Sequence, residues 1–398
     1  MRPSTSGVYG NATAWRDVIP PGYTLPGWLQ DQGYYTYGVG KLFHTSRQIR
    51  TEDWDAYPQN LSDGSIDQTQ THSAATIEVP TTRGTKRYKA GDLSIAELAT
   101  GDEAQRDHAT VSAAIQALQD QSGEQPFFIA CGIFRPHLPW HVPAKYFDLY
   151  PEDQIQLPPY RADDLADIPH AKPKPEHLDI LEEGSWKKAI RAYLASVTYA
   201  DMEVGRILDA LESSPHAKNT IVILMGDHGW HLGEKLQWRK ALLWEEANRT
   251  PYIWAGPGIH GVRGRTDAVV DLMSLWPTIA DFVGAPPPTH VEGTSVMPLL
   301  ENPNMPWNGP PALSTWHFNN HTVRTDRWRY IRWDHGGEEL YDHDADPYEW
   351  YNLLHASNAD RADGLDLTAI VAELRAHFPT TNRTPEEAKI HFAERSIK

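Results

Sequence analysis

The feature that most constrains this chain is an alternation: stretches with helical spacing of apolar residues are followed by short β-branched or aromatic runs. Between Trp186 and Leu211 the residues Ile190, Tyr193, Leu194, Val197, Val204, Ile207, Leu208 and Leu211 keep one helical face apolar, and the run Thr220 to Met225 comes next. Asp102 to Gln121 repeats the pattern with Val111, Ile115 and Leu118, and Pro126 then leads into the run Phe127 to Ile133. Thr24 to Gln32, with Pro26 near its start and Gly33 just past its end, reads as a shorter helix feeding a strand at Tyr35 to Val39. Runs that are apolar throughout suit strands buried on both faces, and their alternation with helices predicts an α/β fold: a largely parallel sheet with helices on both faces.

The pattern changes after the Pro-rich segment Pro286 to Pro288. Short strand-like pieces at Thr322 to Arg324, Tyr330 to Trp333 and Glu339 to Tyr341 predict a small antiparallel sheet, capped by a helix at Leu367 to His377. The linker-like stretch Pro303 to Pro311 places the boundary, so residues 1–304 are expected to form the α/β domain and 305–398 a smaller C-terminal α+β unit. Thr45 to Gly91 is polar and Thr-rich with no sustained period, and is expected to be a long excursion over the surface.

Composition excludes several functions. A chain of 398 residues with 40% hydrophobic residues has enough apolar surface for a substantial core. A formal net charge of -17 opposes a general nucleic-acid role, which needs a basic face, so an anionic ligand must be held by a local basic pocket. The single cysteine, Cys131, rules out an internal disulfide and a cysteine-built zinc site. The sequence has no run of about 18 apolar residues, so no membrane-spanning helix is expected. The first residues lack a signal peptide's apolar stretch, and Met1 to Tyr9 reads like the middle of a domain.

In open α/β sheets ligands bind beyond the carboxyl ends of the strands. Three strand ends are equipped for this. Tyr35 to Val39 runs into GKLFH with Lys41 and His44, Phe127 to Ile133 runs into RPHLPW with His137, and Thr220 to Met225 runs into GDHGW with Asp227 and His228. Lys240 follows in LGEKLQWRK. Asp227 and His228 offer a carboxylate oxygen and an imidazole nitrogen, which suit a divalent cation although two donors do not complete its shell. Lys41, Lys240, His44 and His137 are the inventory of a pocket for a tetrahedral anion, phosphate or sulfate. Taken singly each has an ordinary structural role; their convergence on one pocket is the expectation. Trp230, Trp238, Trp140 and Trp316 are candidates for stacking on a sugar or for packing. Tyr341, Asp346 and Pro347 are expected to form a local turn.

The segments RPSTSGVYGNATAWR, GYYTYGVGKLFH, PFFIACGIFRPHLPW, YLASVTYADMEVGRILDAL, GDHGWHLGEKLQWRK and ELYDHDADPYEWYNL, in this order along nearly the whole chain, resemble sulfatases near iduronate 2-sulfatase. The resemblance implies an alkaline-phosphatase-like α/β core, a smaller C-terminal domain and one divalent cation, usually calcium, with magnesium the alternative. It assigns Asp227 and His228 to the metal, Lys41 and His44 to the nucleophile and sulfate, His137 to the ester oxygen, Lys240 to the sulfate and Trp230 to a place near the substrate. It implies a small sulfate ester or a sulfated glycan end as substrate, and a periplasmic, secreted or lysosome-like setting.

The chain departs from the family pattern in one respect. Two adjacent aspartates and a Cys or Ser in C/S-x-P-S-R, converted to formylglycine, are expected upstream of Arg2, and Cys131 does not stand in that motif. These 398 residues are therefore expected to be inactive and less stable than a longer parent. Two other readings stay open: a phosphodiesterase or phosphonate hydrolase of the same superfamily, and a non-catalytic anion-binding remnant.

Overall fold

Thr24 begins the first regular αβ unit: its hydroxyl accepts the Gly27 N–H at 3.3 Å and donates to Asp53 at 2.7 Å, capping the helix Leu25–Asp31. The computed structural model describes residues 1–44, 49–58, 85–259 and 264–395. They form two compact units: one of Met1–Tyr23, Pro159–Pro173 and Thr220–Lys398, the other of Thr24–Pro158 and Lys174–Asn219. Among the described residues no helix is long and apolar enough to cross a membrane.

In the second unit the helix Leu25–Asp31 feeds β1 (Tyr35–Gly40). The hairpin β2 (Lys86–Ala90) and β3 (Leu93–Leu98) follows, turning at Gly91 with φ +56°. Next come the helix Arg106–Gln119, β4 (Phe127–Gly132), β5 (Trp140–Pro143) and the long helix Trp186–Glu212. β1 and β4 pair in parallel from Tyr35↔Phe127 to Gly40↔Gly132, and β3 and β5 pair in parallel from Ile95↔Trp140 to Leu98↔Pro143. Helix Arg106–Gln119 buries Val111, Ala114 and Leu118, packs on β1 and β4, and is backed by helix Trp186–Glu212.

Two readings change here. Of the expected excursion from Thr45 to Gly91, residues 45–48 and 59–84 lie outside the described residues, but Lys86–Ala90 is a strand. Its Lys-Arg-Tyr-Lys sequence hid it, because only Ala90 is buried and the apolar face belongs to its partner β3. Trp140, a candidate for stacking or for packing, begins the strand Trp140–Pro143, which is fully buried, so it packs.

In the first unit β6 (Val222–Met225) is followed by the short pair β7 (His231–Leu232) and β8 (Trp238–Arg239) and by β9 (Tyr252–Ala255). β6 and β9 pair antiparallel, Val222↔Ala255 to Met225↔Tyr252. The later strands β10 (Ala312–Thr315), β11 (His321–Arg324), β12 (Trp328–Arg332) and β13 (Glu338–Asp342) form one antiparallel sheet in sequence order. Successive residues face opposite sides of a strand. Val323, Tyr330 and Leu340 therefore pack with Leu353, Leu374 and Phe378 beneath the helix Leu367–Arg375, while Ile331 and Tyr341 pack with Leu165, Leu236, Leu243 and Trp244. The fold class is α/β with a C-terminal β unit.

The second face is locked by charge. Arg329, on β12 and 2% exposed, forms ion pairs with Glu245 and Glu349, and Arg324 lies 3.4 Å from Glu245. His343 bonds Glu349 at 2.9 Å, and the Glu245 N–H donates to the other Glu349 oxygen at 2.9 Å. The Lys235 ammonium joins Asp164 at 2.9 Å and the Glu349 carbonyl. Burial pushes the Glu349 carboxyl up, but Arg329 and His343 outweigh it and bring it down to about 2. Replacing Arg329 with Met leaves the buried Glu349 and the partly buried Glu245 each short of a partner and should cost about 3–5 kcal/mol in denaturant unfolding. A depressed carboxyl stabilises above its unfolded value, so melting temperature should fall as pH drops from the ordinary 4.5 toward about 2. A flat acid limb, or a loss under 1 kcal/mol (~1) on Arg329→Met, would remove the network from this role.

Candidate active site

The loop after β6 is shaped by two glycines. The Gly226 N–H reaches the Pro251 carbonyl at 3.1 Å, and the Gly229 N–H reaches the Ala247 carbonyl at 2.9 Å. A Cβ on Gly229 would lie 2.1 Å from the Glu246 carbonyl oxygen, so only glycine lets this backbone sit against the short helix Glu245–Asn248. Asp227 and His228 stand between the two anchors. His228 donates through Nδ1 to the Gly229 carbonyl at 2.8 Å, an assignment that makes Nε2 an acceptor, and Lys240 Nζ donates to Nε2 at 2.9 Å. Asp227 Oδ1 is 3.6 Å from the same Nε2, on a side chain 78% exposed.

Lys240 is presented by an unusual backbone: Lys235, Leu236, Arg239 and Ala241 all have φ between 52° and 73°. Left-handed non-glycine residues cost about 1 kcal/mol or more each and persist only where surroundings fix them. Here the fixing groups are the buried Lys235 ion pair and the Gln237 amide, which donates to the Lys172 carbonyl at 2.9 Å. Trp230 is 9% exposed, with its ring 6.0 Å from the His228 ring. It backs the histidine. The structure thus brings Asp227, His228, Lys240 and Trp230 together within the first unit.

Lys41, His44 and His137 belong to the second unit. Gly40, at φ +78°, ends β1 against Gly132 of β4: a Cβ there would lie 2.3 Å from the Gly132 carbonyl oxygen. This close approach lets the Lys41 N–H reach that oxygen at 2.7 Å. Lys41 Nζ lies 5.8 Å from the centre of the Phe134 ring, and His137 packs on the same ring at 5.1 Å. His44 sits three residues further along the turn after β1, partly exposed. The His137 ring donates through Nδ1 to the Leu138 carbonyl at 2.8 Å.

Sequence reasoning missed the group that holds the His137 loop. Asp107, fully buried in the first turn of helix Arg106–Gln119, accepts the N–H groups of Phe134 and Arg135 at 2.8 and 2.9 Å. Burial pushes its carboxyl up against the pull of Arg135 and these two donors. The only signal in the sequence was an acid at a helix start, which is commonplace. Cys131, partly buried in β4, has its thiol pushed up to about 12 by burial and is no nucleophile.

Among the described residues two groups offer metal donors. Asp227 and His228 place an oxygen and a nitrogen close enough to share one hard cation, but Nε2 already receives the Lys240 ammonium, which the ion would displace. A second group, Glu245, His343 and Glu349, has its ligand atoms within 4.8 Å of one another. Arg324 and Arg329 already neutralise its two carboxylates, so it is an ion-pair lock. The neighbouring crevice is lined by Asp164, Glu234, Glu246 and Glu349 together with Lys235 and His231; burial and the acids around it push Glu246 up to about 7.

The sulfatase family model matches residues 2–285, and the model for the C-terminal part of N-sulphoglucosamine sulphohydrolase matches residues 226–376. The chain belongs to the sulfatase family. It is 35% identical to a sulfatase of Formosa agariphila, covering 96% of this chain and 76% of that protein. It is 26% identical to human iduronate 2-sulfatase, covering 89% and 81% respectively. A solved structure described as bound to its substrate D-glucosamine-2-N,6-O-disulfate has a similar fold, with TM-score 0.63 at 20% identity over 95% of this chain and 89% of that one. Sulfatases are sulfuric ester hydrolases, and the neighbours carry the alkaline-phosphatase-like fold.

Replacing Asp107 with Ala strands two buried N–H groups and should cost about 2–4 kcal/mol in chemical unfolding. It should also change the chemical shift of the His137 ring before unfolding begins. Unaltered stability and an unmoved His137 signal would show that the loop holds itself.

Proposed function

We propose that this sulfatase takes the sulfate ester of a sugar, with Lys240 as the cation that seats the sulfate. One observation carries the reading: the Lys240 ammonium is held on His228 Nε2 at 2.9 Å, with the imidazole fixed from its other side by the Gly229 carbonyl. The charge is placed before ligand arrives, which is the arrangement that stabilises developing negative charge at low reorganisation cost.

Asp227 and His228 would hold the divalent cation, calcium suiting oxygen donors and magnesium being the alternative; because the ion would take His228 Nε2, the Lys240 ammonium would be released from it toward the sulfate. When bound it would draw charge from a sulfate oxygen. Lys41 and His44 would act on the sulfate and nucleophile. His137, with Nδ1 donating to the Leu138 carbonyl, would act as the imidazolium, giving its Nε2 proton to the ester oxygen as the bond to sulfur breaks and being left as the neutral ring. Trp230 keeps His228 in place. The covalent step of the family, attack by hydrated formylglycine, is assigned to no residue of these 398, since none stands in C/S-x-P-S-R. A sugar substrate is supported by the family match over residues 226–376 and by the relative bound to a glucosamine disulfate.

Binding tests the reading without needing the covalent step. Calorimetric titration should show phenyl sulfate bound more tightly than a phenyl phosphodiester; the reverse order would favour the phosphodiesterase reading. Lys240→Ala removes a charge-assisted contact of about 1.5–3 kcal/mol, so sulfate-ester affinity should fall roughly 10- to 100-fold with the melting temperature preserved. Equal affinities in the two proteins would take Lys240 out of the site.

A further inference from the structure

The two hairpin tips of the four-stranded sheet carry an aromatic surface that nothing above uses. The tip between β10 and β11 presents Trp316, partly exposed, with the exposed His317 ring 4.3 Å away. The tip between β12 and β13 presents Trp333 and the exposed His335, their rings parallel within 7° and 6.2 Å apart. Gly337 makes this possible, since a Cβ there would lie 2.6 Å from His335 Cε1.

These rings are held rigidly. The Asn319 amide donates to Asp334 Oδ1 at 2.9 Å, and the Asp334 N–H donates to Asn320 Oδ1 at 2.8 Å, so the two tips are laced to each other. The Trp333 indole N–H is tied to Glu339 at 2.5 Å. His317 and Asn319 both adopt left-handed conformations, φ 58° and 61°, strain that the lacing sustains. Trp316 and Trp333 pack on the same cluster as Leu242, two residues beyond Lys240. The aromatic surface and the sulfate seat therefore grow from one piece of core.

We propose that these tips form a stacking shelf for a pyranose ring, making the ligand a sulfated sugar rather than a small alkyl sulfate. The inference rests on the sulfate seat proposed at Lys240. A pyranose has an apolar C–H face and a rim of hydroxyls; flat rings accept the face, and Asp334 and His335 Nε2 lie beside them to bond the rim, the His335 ring being held by His170 at 4.4 Å and by the Gly337 N–H on Nδ1 at 3.2 Å. Rigid aromatics also lose little conformational entropy on binding. The acidic net charge of -17 argues against a long polyanion on this surface and for a single sugar at a chain end.

The test uses the whole chain and three probes: D-glucosamine 6-sulfate, methyl sulfate and D-glucosamine, titrated calorimetrically. Wild type should bind the sulfated sugar at least about 10-fold more tightly than methyl sulfate, the range of one or two stacking contacts. Trp316→Ala should erase that preference while leaving methyl sulfate affinity unchanged. His335→Ala, at an exposed position, should reduce the preference without threatening the fold. Equal binding of the sulfated sugar and methyl sulfate by wild type, or a preference that survives both substitutions, would overturn the shelf. If methyl sulfate does not bind but glucosamine binds in a Trp316-dependent way, the shelf stands and the Lys240 reading fails. If methyl sulfate binds and the sugar adds nothing, the seat stands and the shelf fails.

Discussion

The first unit depends on the buried carboxylate of Glu349. Its oxygens take Arg329, His343 and the Glu245 N–H, and its carbonyl takes the Lys235 ammonium. Through Glu245 it fixes the short helix against which Gly229 must lie, and through Lys235 it fixes the left-handed stretch that leads to Lys240. Both halves of the His228–Lys240 pair are thus referred to one group. A buried charge is costly unless fully partnered, and this one is. The same saturation explains why Glu245, His343 and Glu349, despite metal-like spacing, act as a lock.

Much of this was legible in the sequence because the physics is local. The apolar faces of helices Arg106–Gln119 and Trp186–Glu212 are set by burial periodicity, which a single sequence displays, and the apolar runs at β4 and β6 are strands as expected, although β4 is only partly buried and Leu224 and Met225 of β6 are exposed. The antiparallel strands at Thr322, Tyr330 and Glu339 were visible for the same reason. β2 and β5 were not: one is charged with its apolar partner elsewhere, and the other sits among prolines that read as turn. A strand whose burial is provided by a distant segment has no local signature.

The site shows the same division. Asp227, His228 and Lys240 could be picked out because glycines and strand ends mark where backbone turns to expose side chains. Their mutual geometry could not, since the Nε2 acceptor arises only after Gly229 is pressed against Glu245–Asn248. Asp107 was illegible because its function is to accept N–H groups 27 and 28 residues away. Of the aromatic tips only Trp316 was singled out; the fold sets Trp316 and Trp333 against one core cluster.

The central claim is that a pre-placed ammonium on His228 seats a tetrahedral anion. The most direct measurement is a crystal structure of the chain soaked in selenate, which carries sulfate's shape and charge and an anomalous signal that locates it without bias. The expected result is a selenate within hydrogen-bond distance of Lys240 Nζ, with His228 still bonded to the Gly229 carbonyl. Selenate bound elsewhere, with Lys240 still donating to His228 and no anion beside it, would contradict the account.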